Sequence, residues 1–397
     1  MLTENKMILI KLETIDGTDA SPSATSDFLL ASNLKVTTNL AYNETTGMDG
    51  SLSPLAGTLG QKSVTLTFDH QLQVNNSSVT VPPIDALLQI SGWDDNEQDT
   101  GTYVDGKYWP ASIRGLRCTR LPYTAGDGAE PSVGDTIEGV VTGETGVVAA
   151  VATHSGAWGV DAAGVIYLDS VTGPFDVSEL LKVGATNFAT TDGAQWTPSA
   201  TIYVYEEDLL WKLTSCKGDI VWNLTAGEPA SLSATITGRY TTPTVASSTF
   251  PSSWTDNGSA PMVAMGGIFT WNSENPVIEG LTFGLHNDVN IAPSISQSAA
   301  VESIQITNRK PEATMNPEVV HSTDIDYWGK YDGSLTAMSY NMSNGTVDVD
   351  ISMPYCQITN IGTTDRNGIL VYDIGLRPVR SDNSSGEDEM YVQFSAT

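Results

Sequence analysis

The chain has 397 residues, of which only 16% are charged, yet 47 acidic against 18 basic side chains leave a formal net charge of −29. That balance repels nucleic acid and anionic membranes alike, and a 40% apolar share with 9 Trp excludes disorder. Thr, Ser, Gly, Val and Asn dominate while helical runs of Leu, Glu, Lys and Ala are missing, so the expected class is all-β, in two or three domains by length.

In chain order, residues 1–13 read as an extended arm. The apolar run Met7–Ile10, enclosed by Lys6 and Lys11, is too short for a signal-peptide core, so no secretion signal is expected. No stretch approaches the roughly 20 apolar residues of a membrane span. Asp16–Pro22 is loop by composition, and Phe28–Thr38 (FLLASNLKVTT) starts the ordered body as a strand. A long polar loop, Asn43–Gly60, is a candidate contact with a neighbouring subunit. Val64, Leu66 and Phe68 then alternate as a second strand. Pro83–Gly92 is the one clear helix, opened by proline, with Ile84, Leu87 and Leu88 on one face. After it come Asp94, Asp95, Glu97, Asp99 and Asp105. An EF-type calcium loop would need glycine where Asp99 stands, so a solvated turn is expected and metal binding is not.

Between Gly126 and Pro198 the charges and aromatics thin out, and short Val/Ile strands alternate with Gly turns. Residues 126–198 therefore read as a small inserted β domain, flanked by strands Cys118–Tyr123 and Ile202–Tyr205 that would otherwise be neighbours. Leu209–Tyr240 reads as three strands in a meander. Lys217-Gly218-Asp219 is the turn between the first two, and Ala226-Gly227-Glu228-Pro229 the turn before the third. Residues 1–125 with 199–240 make a first domain, 241–261 a Ser/Thr/Pro-rich connector, and 262–397 a second β domain. The second domain's strands are expected at Ile268–Trp271, Val277–Leu285, Val301–Thr307, Ser334–Tyr340, Val347–Ile351, Ile369–Leu376 and Met390–Phe394. Ser32–Thr38 and Glu302–Asn308 are faintly alike, each expected to lead into a long polar loop and a strand, which suggests a duplicated fold.

No catalytic constellation is visible. His70, His154, His286 and His321 are scattered without zinc or haem spacing, and no GxSxG, Walker A or dinucleotide fingerprint occurs. Cys118, Cys216 and Cys356 lack a CxxC pair and read as reduced thiols in a cytoplasm, so the N-x-S/T matches at Asn43, Asn223 and Asn341 are chance products. Glu206/Glu207, Asp324/Asp326 and Asp348/Asp350 could in principle serve a glycosidase. In Val347–Ile351, however, both carboxylates fall on the outer face of an alternating strand, where solubilising charge is the simpler role. No catalytic, cofactor or metal residue is assigned.

The order of several short motifs resembles a known family. TIDGTDASPSATSDFLLASNLKVTTNLAYNETTGMDGSLSPLAG, then VTLTFDHQLQ, PPIDALLQISGW, the A-G-E-P and T-G-R-Y elements of Leu209–Tyr240, and VESIQITNRKPEATMNPEV together resemble bacteriophage tail tube proteins (major tail proteins). The likeness covers most of residues 10–125 and 200–320. The 126–198 insert is similar to another recurrent virion element, a G-D-x-x-x-G-x-x-T-G-x-T-G repeat followed by a strand.

The resemblance implies tandem β-sandwich or partial-barrel tail-tube domains with one short helix. Such chains pack into rings, and the rings stack into the tube of a virion tail through which the genome passes. Partners would be other copies of the chain, the tape measure, tail terminator and tail-tip proteins, and in a contractile tail a sheath. The protein would be made in the bacterial host cytoplasm. DNA would pass an acidic wall without binding. If the halves are a duplication, three chains give a ring of six tube domains; a single tube domain would need six chains. A tail-tip or baseplate hub protein of the same fold, or a carbohydrate-binding virion protein, are the alternative functions.

Overall fold

The computed structural model describes residues 5–47, 53, 55–74, 82–95, 106–245, 250–255, 260–381 and 387–396. Its strands are β1 (Lys6–Leu12), β2 (Phe28–Leu29), β3 (Ser32–Asn43) and β4 (Thr58–Gln71), then β5 (Trp93–Asp94), β6 (Lys107–Pro110) and β7 (Thr119–Gly126). There follow β8 (Thr136–Gly139), β9 (Thr145–Ser155), β10 (Ala162–Asp169), β11 (Leu180–Val183) and β12 (Thr186–Thr191). Next are β13 (Ala200–Glu206), β14 (Leu209–Thr225), β15 (Ser231–Arg239) and β16 (Thr244–Val245). The rest are β17 (Ile268–Trp271), β18 (Ile278–Gly284), β19 (Asn287–Pro293), β20 (Val301–Arg309), β21 (Glu312–Pro317), β22 (Thr336–Ser343), β23 (Val347–Arg366), β24 (Ile369–Pro378) and β25 (Tyr391–Ala396). Two short helices, α1 (Asp85–Ile90) and α2 (Ile113–Arg117), complete an all-β chain.

The N-terminal segment expected as an extended arm is instead an interior strand. Met7, Ile8, Leu9 and Ile10 are all buried, because β1 lies between β13 and β2 and packs both of its faces. The Phe28–Thr38 strand breaks after Leu29, resumes at Ser32 and runs on to Asn43. The Asn43–Gly60 loop is shorter than expected, because β4 already begins at Thr58; residues 48–52 and 54 lie outside the described part. The helix after Pro82-Pro83 is present, with Leu87 and Leu88 buried and Gly92 ending it at φ +81. A second helix went unforeseen: Ser112 caps α2 by accepting from the Arg114 and Gly115 amides.

Leu209–Tyr240 holds two strands rather than three. Lys217-Gly218-Asp219 is no turn but the middle of β14, a single 17-residue strand. The break in its pattern is a bulge just before, where the register slips between Thr214 and Lys217 and Ser215 takes φ +53. Glu13 accepts the Ser215 amide at 2.9 Å, and Asp16 accepts the Ser215 hydroxyl at 2.6 Å, which hold the bend. Gly218 is needed for packing, since a Cβ there would lie 2.5 Å from the Thr235 carbonyl oxygen. The Ala226–Pro229 turn is found, with Gly227 at φ +79.

Bent strands make a sandwich. The C-terminal half of β14 belongs to one fully antiparallel sheet in the order β3-β4-β15-β14-β18-β21-β24-β23, eight strands in all. Its N-terminal half pairs with β13 and β16 in a facing sheet. In the same way β23 pairs with β24 through its second half, and through its first half with β22 and β25 of a further facing sheet that β17 and β6 extend. One hydrophobic core fills the space between, from Ile8, Leu66 and Trp222 to Phe283, Ile351 and Phe394. It draws on both of the expected flanking domains, and β25 even pairs with β6.

Strands β7–β12 close a separate barrel with its own core around Leu121, Ile137, Ile166 and Phe188. The strand at Cys118–Tyr123 is therefore not a neighbour of Ile202–Tyr205; it is β7, paired with β10 and β12, and β1 takes the expected place beside β13.

Candidate assembly interface

Topology reveals a repeat that the sequence only hinted at. In the first half β1 pairs with β13, β3 with β4, β4 with β15, and β14 with β13, β15 and β16. In the second half β17 pairs with β22, β18 with β21, β21 with β24, and β23 with β22, β24 and β25. The two lists are the same list. The counterpart of β3 is thus β18, and not β20, whose sequence is the one that resembles it. Nor does a long polar loop follow β20, because β21 starts at Glu312. Cys216 and Cys356, both buried, sit at the bends of the two long strands.

The repeats meet where β14 pairs with β18, from Val221 opposite Gly284 to Thr225 opposite Gly280. Trp222 stacks on Phe283 across this joint with ring centroids 5.5 Å apart. By the repeat, β14 corresponds to β23 and β18 to β3. Those two counterparts are the outermost strands of the eight-stranded sheet, and each has one side without a strand partner among the described residues. Ser32–Asn43 is almost wholly exposed, as are Thr359, Asn360 and Thr363–Asp365. Such edges invite pairing with another chain. Because the strand number is even and every neighbour is antiparallel, β3 and β23 run in opposite directions, so a rotated copy continues the sheet without reversal.

The sheet face turned away from the core is polar. Along it lie Thr37, Thr65, Thr67, Ser233, Thr235, Asn223, Thr282, Thr314 and Asn360, and in β4, β15, β14, β18 and β21 these alternate with buried residues. Charges on it are few and mixed, with Asp69, Asp219, Glu312 and Asp373 against Lys35, Arg239 and Arg377. The surplus of −29 therefore sits mostly elsewhere.

No protein-family model matches the chain, and no curated protein matches it.

The acidic residues weighed for catalysis have structural surroundings. Asp348 and Asp350 alternate with buried Val347, Val349 and Ile351, and Asp350 accepts from Asn341 at 2.7 Å. Glu206 binds Lys6 at 2.6 Å and the Trp211 indole at 3.1 Å. Asp326 accepts the Gly329 amide, and His321 contacts Thr323 in the same surface loop. His70 is buried against the Leu30 carbonyl. Among the described residues no group of His, Cys, Asp and Glu is placed to hold a metal ion.

The turn expected to be solvated at Asp94 is instead a fully buried polar site. Asp94 accepts from Arg120 at 2.8 Å and from the Tyr167 hydroxyl at 3.0 Å, and both ionic side chains are inaccessible. Arg120 and Tyr167 come from the barrel and Asp94 from the sandwich, so the pair fastens one to the other. Burial pushes the neighbouring Asp85 carboxyl up in spite of hydrogen bonds from Gln89 and Tyr108. Asp95 is pushed well up by burial and by the charges of Asp85 and Asp94. Glu97, Asp99 and Asp105 lie outside the described residues. No signal in the sequence pairs Asp94 with Arg120, since 26 positions separate them.

Proposed function

We propose that this protein is a structural subunit that joins edge to edge into rings, and that the rings stack as the tube of a phage tail. The observation that carries this is the internal joint: the chain already makes, between β14 and β18, the contact that β23 of one copy and β3 of the next would repeat. Applying the same step again closes a ring of tube domains, two from each chain, in line with the motif resemblance.

Ring size follows from strand count. With strands about 4.8 Å apart and tilted about 40°, three chains of eight strands close a barrel of about 48 Å backbone diameter, whereas two would give about 32 Å. After roughly 5 Å of side chain on each wall, the bore is about 38 Å or about 22 Å. Only the wider one passes a hydrated DNA duplex with room to slide, so three chains per ring is the favoured count. The wall would be the Thr/Ser/Asn face, polar and nearly balanced in charge rather than strongly acidic. It carries no cationic cluster to hold phosphates, which is what passage without binding requires.

Negative-stain microscopy of the purified chain tests this directly. Rings or hollow tubes with threefold chain stoichiometry are expected, and a stable monomer at high concentration would overturn the proposal.

A further inference from the structure

The internal joint between the repeats has a second component besides the β14–β18 ladder. The segment just before β17 runs along the turn that follows β14. Ala230 donates to the Met262 carbonyl at 2.8 Å, Ala264 to Glu228 at 2.9 Å and Gly227 to Ala264 at 3.0 Å, and Pro229 bridges Val263. Met262 donates in turn to the Leu72 carbonyl at 2.8 Å, and its side chain is buried in the core. Met262–Ala264 is thus a strap that ties the second repeat to the first.

The repeat locates the equivalent of each part. Ile10 of β1 corresponds to Trp271 of β17: Ile10 donates to Asp27 at 2.9 Å and Trp271 to Glu274 at 2.7 Å, with Ile202 and Met338 standing opposite them. Nine residues upstream of each stand Met1 and Met262, so Met1-Leu2-Thr3 falls on Met262-Val263-Ala264, an apolar triplet of the same kind. On the receiving side, Leu72 donates to the Ala230 carbonyl at 2.8 Å and Val319 to the Leu370 carbonyl at 3.1 Å. Leu370 therefore corresponds to Ala230, and Ile369 to Pro229.

There the likeness ends. Ala230 is inaccessible beneath its strap, whereas Ile369 is 47% and Leu370 56% exposed. The Leu370 amide lies on the side of its carbonyl, which faces Val319. Among the described residues none takes the place of Met262 there.

We infer that Met1–Thr3 of one copy form the missing strap on a second copy, lying along the turn between β23 and β24 with Leu2 beside Ile369. This rests on the ring proposal and adds the segment that locks each chain to its neighbour within the ring. Position favours it: β1 begins at Lys6, whose ammonium donates to the Leu34 carbonyl of the edge strand β3 at 3.2 Å. The residues before it therefore start beside the edge that the neighbour's β23 would join. Residues 1–4, outside the described part, span about 13 Å when extended. Chemistry matches as well, since two apolar residues of the segment meet two exposed apolar residues of the turn.

The native cysteines are all buried, so engineered thiols report cleanly. A Pro229→Cys, Val263→Cys variant calibrates the geometry and should close a disulfide within one chain under oxidised glutathione. In the Leu2→Cys, Ile369→Cys variant, assembled rings treated alike should give covalently linked chains on a denaturing gel. The series should stop at the number of chains in one ring, and each single variant should stay monomeric. Leu2→Asp should raise the concentration needed for half-assembly about tenfold or more, because the segment loses its apolar burial. Rings in which the internal control closes but Leu2→Cys, Ile369→Cys stays unlinked, with assembly of Leu2→Asp unchanged, would overturn the inference and leave the ring proposal standing. If the parent chain formed no rings at all, both would fall.

Discussion

Trp222 of β14 and Phe283 of β18 lie parallel within 7°, stacked 5.5 Å apart, at the line where the two halves of the chain become one sheet. Both are buried, so the joint is a packed aromatic seam as well as a ladder of backbone bonds. Phe283→Ala should cost about 3–5 kcal/mol of stability, because it removes a large buried ring and leaves Trp222 facing a cavity. A double-mutant cycle with Trp222→Leu should return a coupling of about 0.5–1.5 kcal/mol. Chemical denaturation of the four proteins measures both, and additive losses would show that the stacking itself contributes nothing.

The proposed joint between chains lacks such a seam, which makes it easier to block selectively. Along an edge strand the amides point alternately to the partner and to open solvent. Of Thr37→Pro and Thr38→Pro in β3, one should therefore unpair the strand from β4 and lower stability. The other should leave the circular dichroism spectrum and melting temperature nearly unchanged yet abolish rings, because its missing donor faced the next copy. Light scattering and microscopy read the outcome, and ring formation by both folded variants would speak against β3 as the contact.

The sequence disclosed the strands but not their partners. Alternation in Ile220, Trp222 and Leu224 and in Leu232, Ala234 and Ile236 located β14 and β15 because a half-buried strand imposes period two. Lys217-Gly218-Asp219 misled because its composition is that of a hairpin turn, whereas Gly218 is there to let the Thr235 carbonyl approach. The buried Met7–Ile10 run was legible as apolar but not as a central strand, since burial on both faces erases alternation. A faint likeness between Ser32–Thr38 and Glu302–Asn308 pointed to a duplication, yet these segments are not topological counterparts. Pairing partners far apart in the chain, such as β4 with β15 and β14 with β18, leave no local trace.

Lys217, two residues beyond the β14 bend, is buried, and its ammonium donates to the Leu116 carbonyl at 2.8 Å. Asp16, Glu13, Arg117 and Arg120 surround it, and burial outweighs the two acids to push its pKa down to about 8. The folded state therefore holds the proton less tightly than the unfolded chain, whose lysine titrates near its ordinary 10.5. Below pH 8 both states are protonated and the full penalty is present, about 3 kcal/mol for a shift of this size. Between pH 8 and 10.5 the unfolded chain binds the extra proton, so this residue's contribution to stability rises with pH. Lys217→Met should be more stable than the parent at pH 7 by up to that amount, less about 1 kcal/mol for the lost hydrogen bond. The advantage should shrink toward pH 10, and a pH-independent difference in urea midpoints would contradict the assignment.

The polar outer face of the sheet, nearly balanced in charge, yields the sharpest test of where DNA would run. Thr282 and Thr314 are paired neighbours on β18 and β21, and both side chains point away from the core. If that face lines the bore, Thr282→Lys with Thr314→Lys leaves folding intact, since neither residue touches the core, and places six added cations on one ring of three chains. Phosphate contacts of that number change affinity steeply with salt, by about 10³-fold or more between 50 and 200 mM. Assembled tubes of the variant should then retain short duplex DNA at low salt and release it at high salt, while parent tubes retain none. Isolated variant chains, offering two cations each, should bind weakly throughout. Equal retention by tubes and by unassembled chains would place these threonines on an outer surface and move the bore to another face of the sandwich.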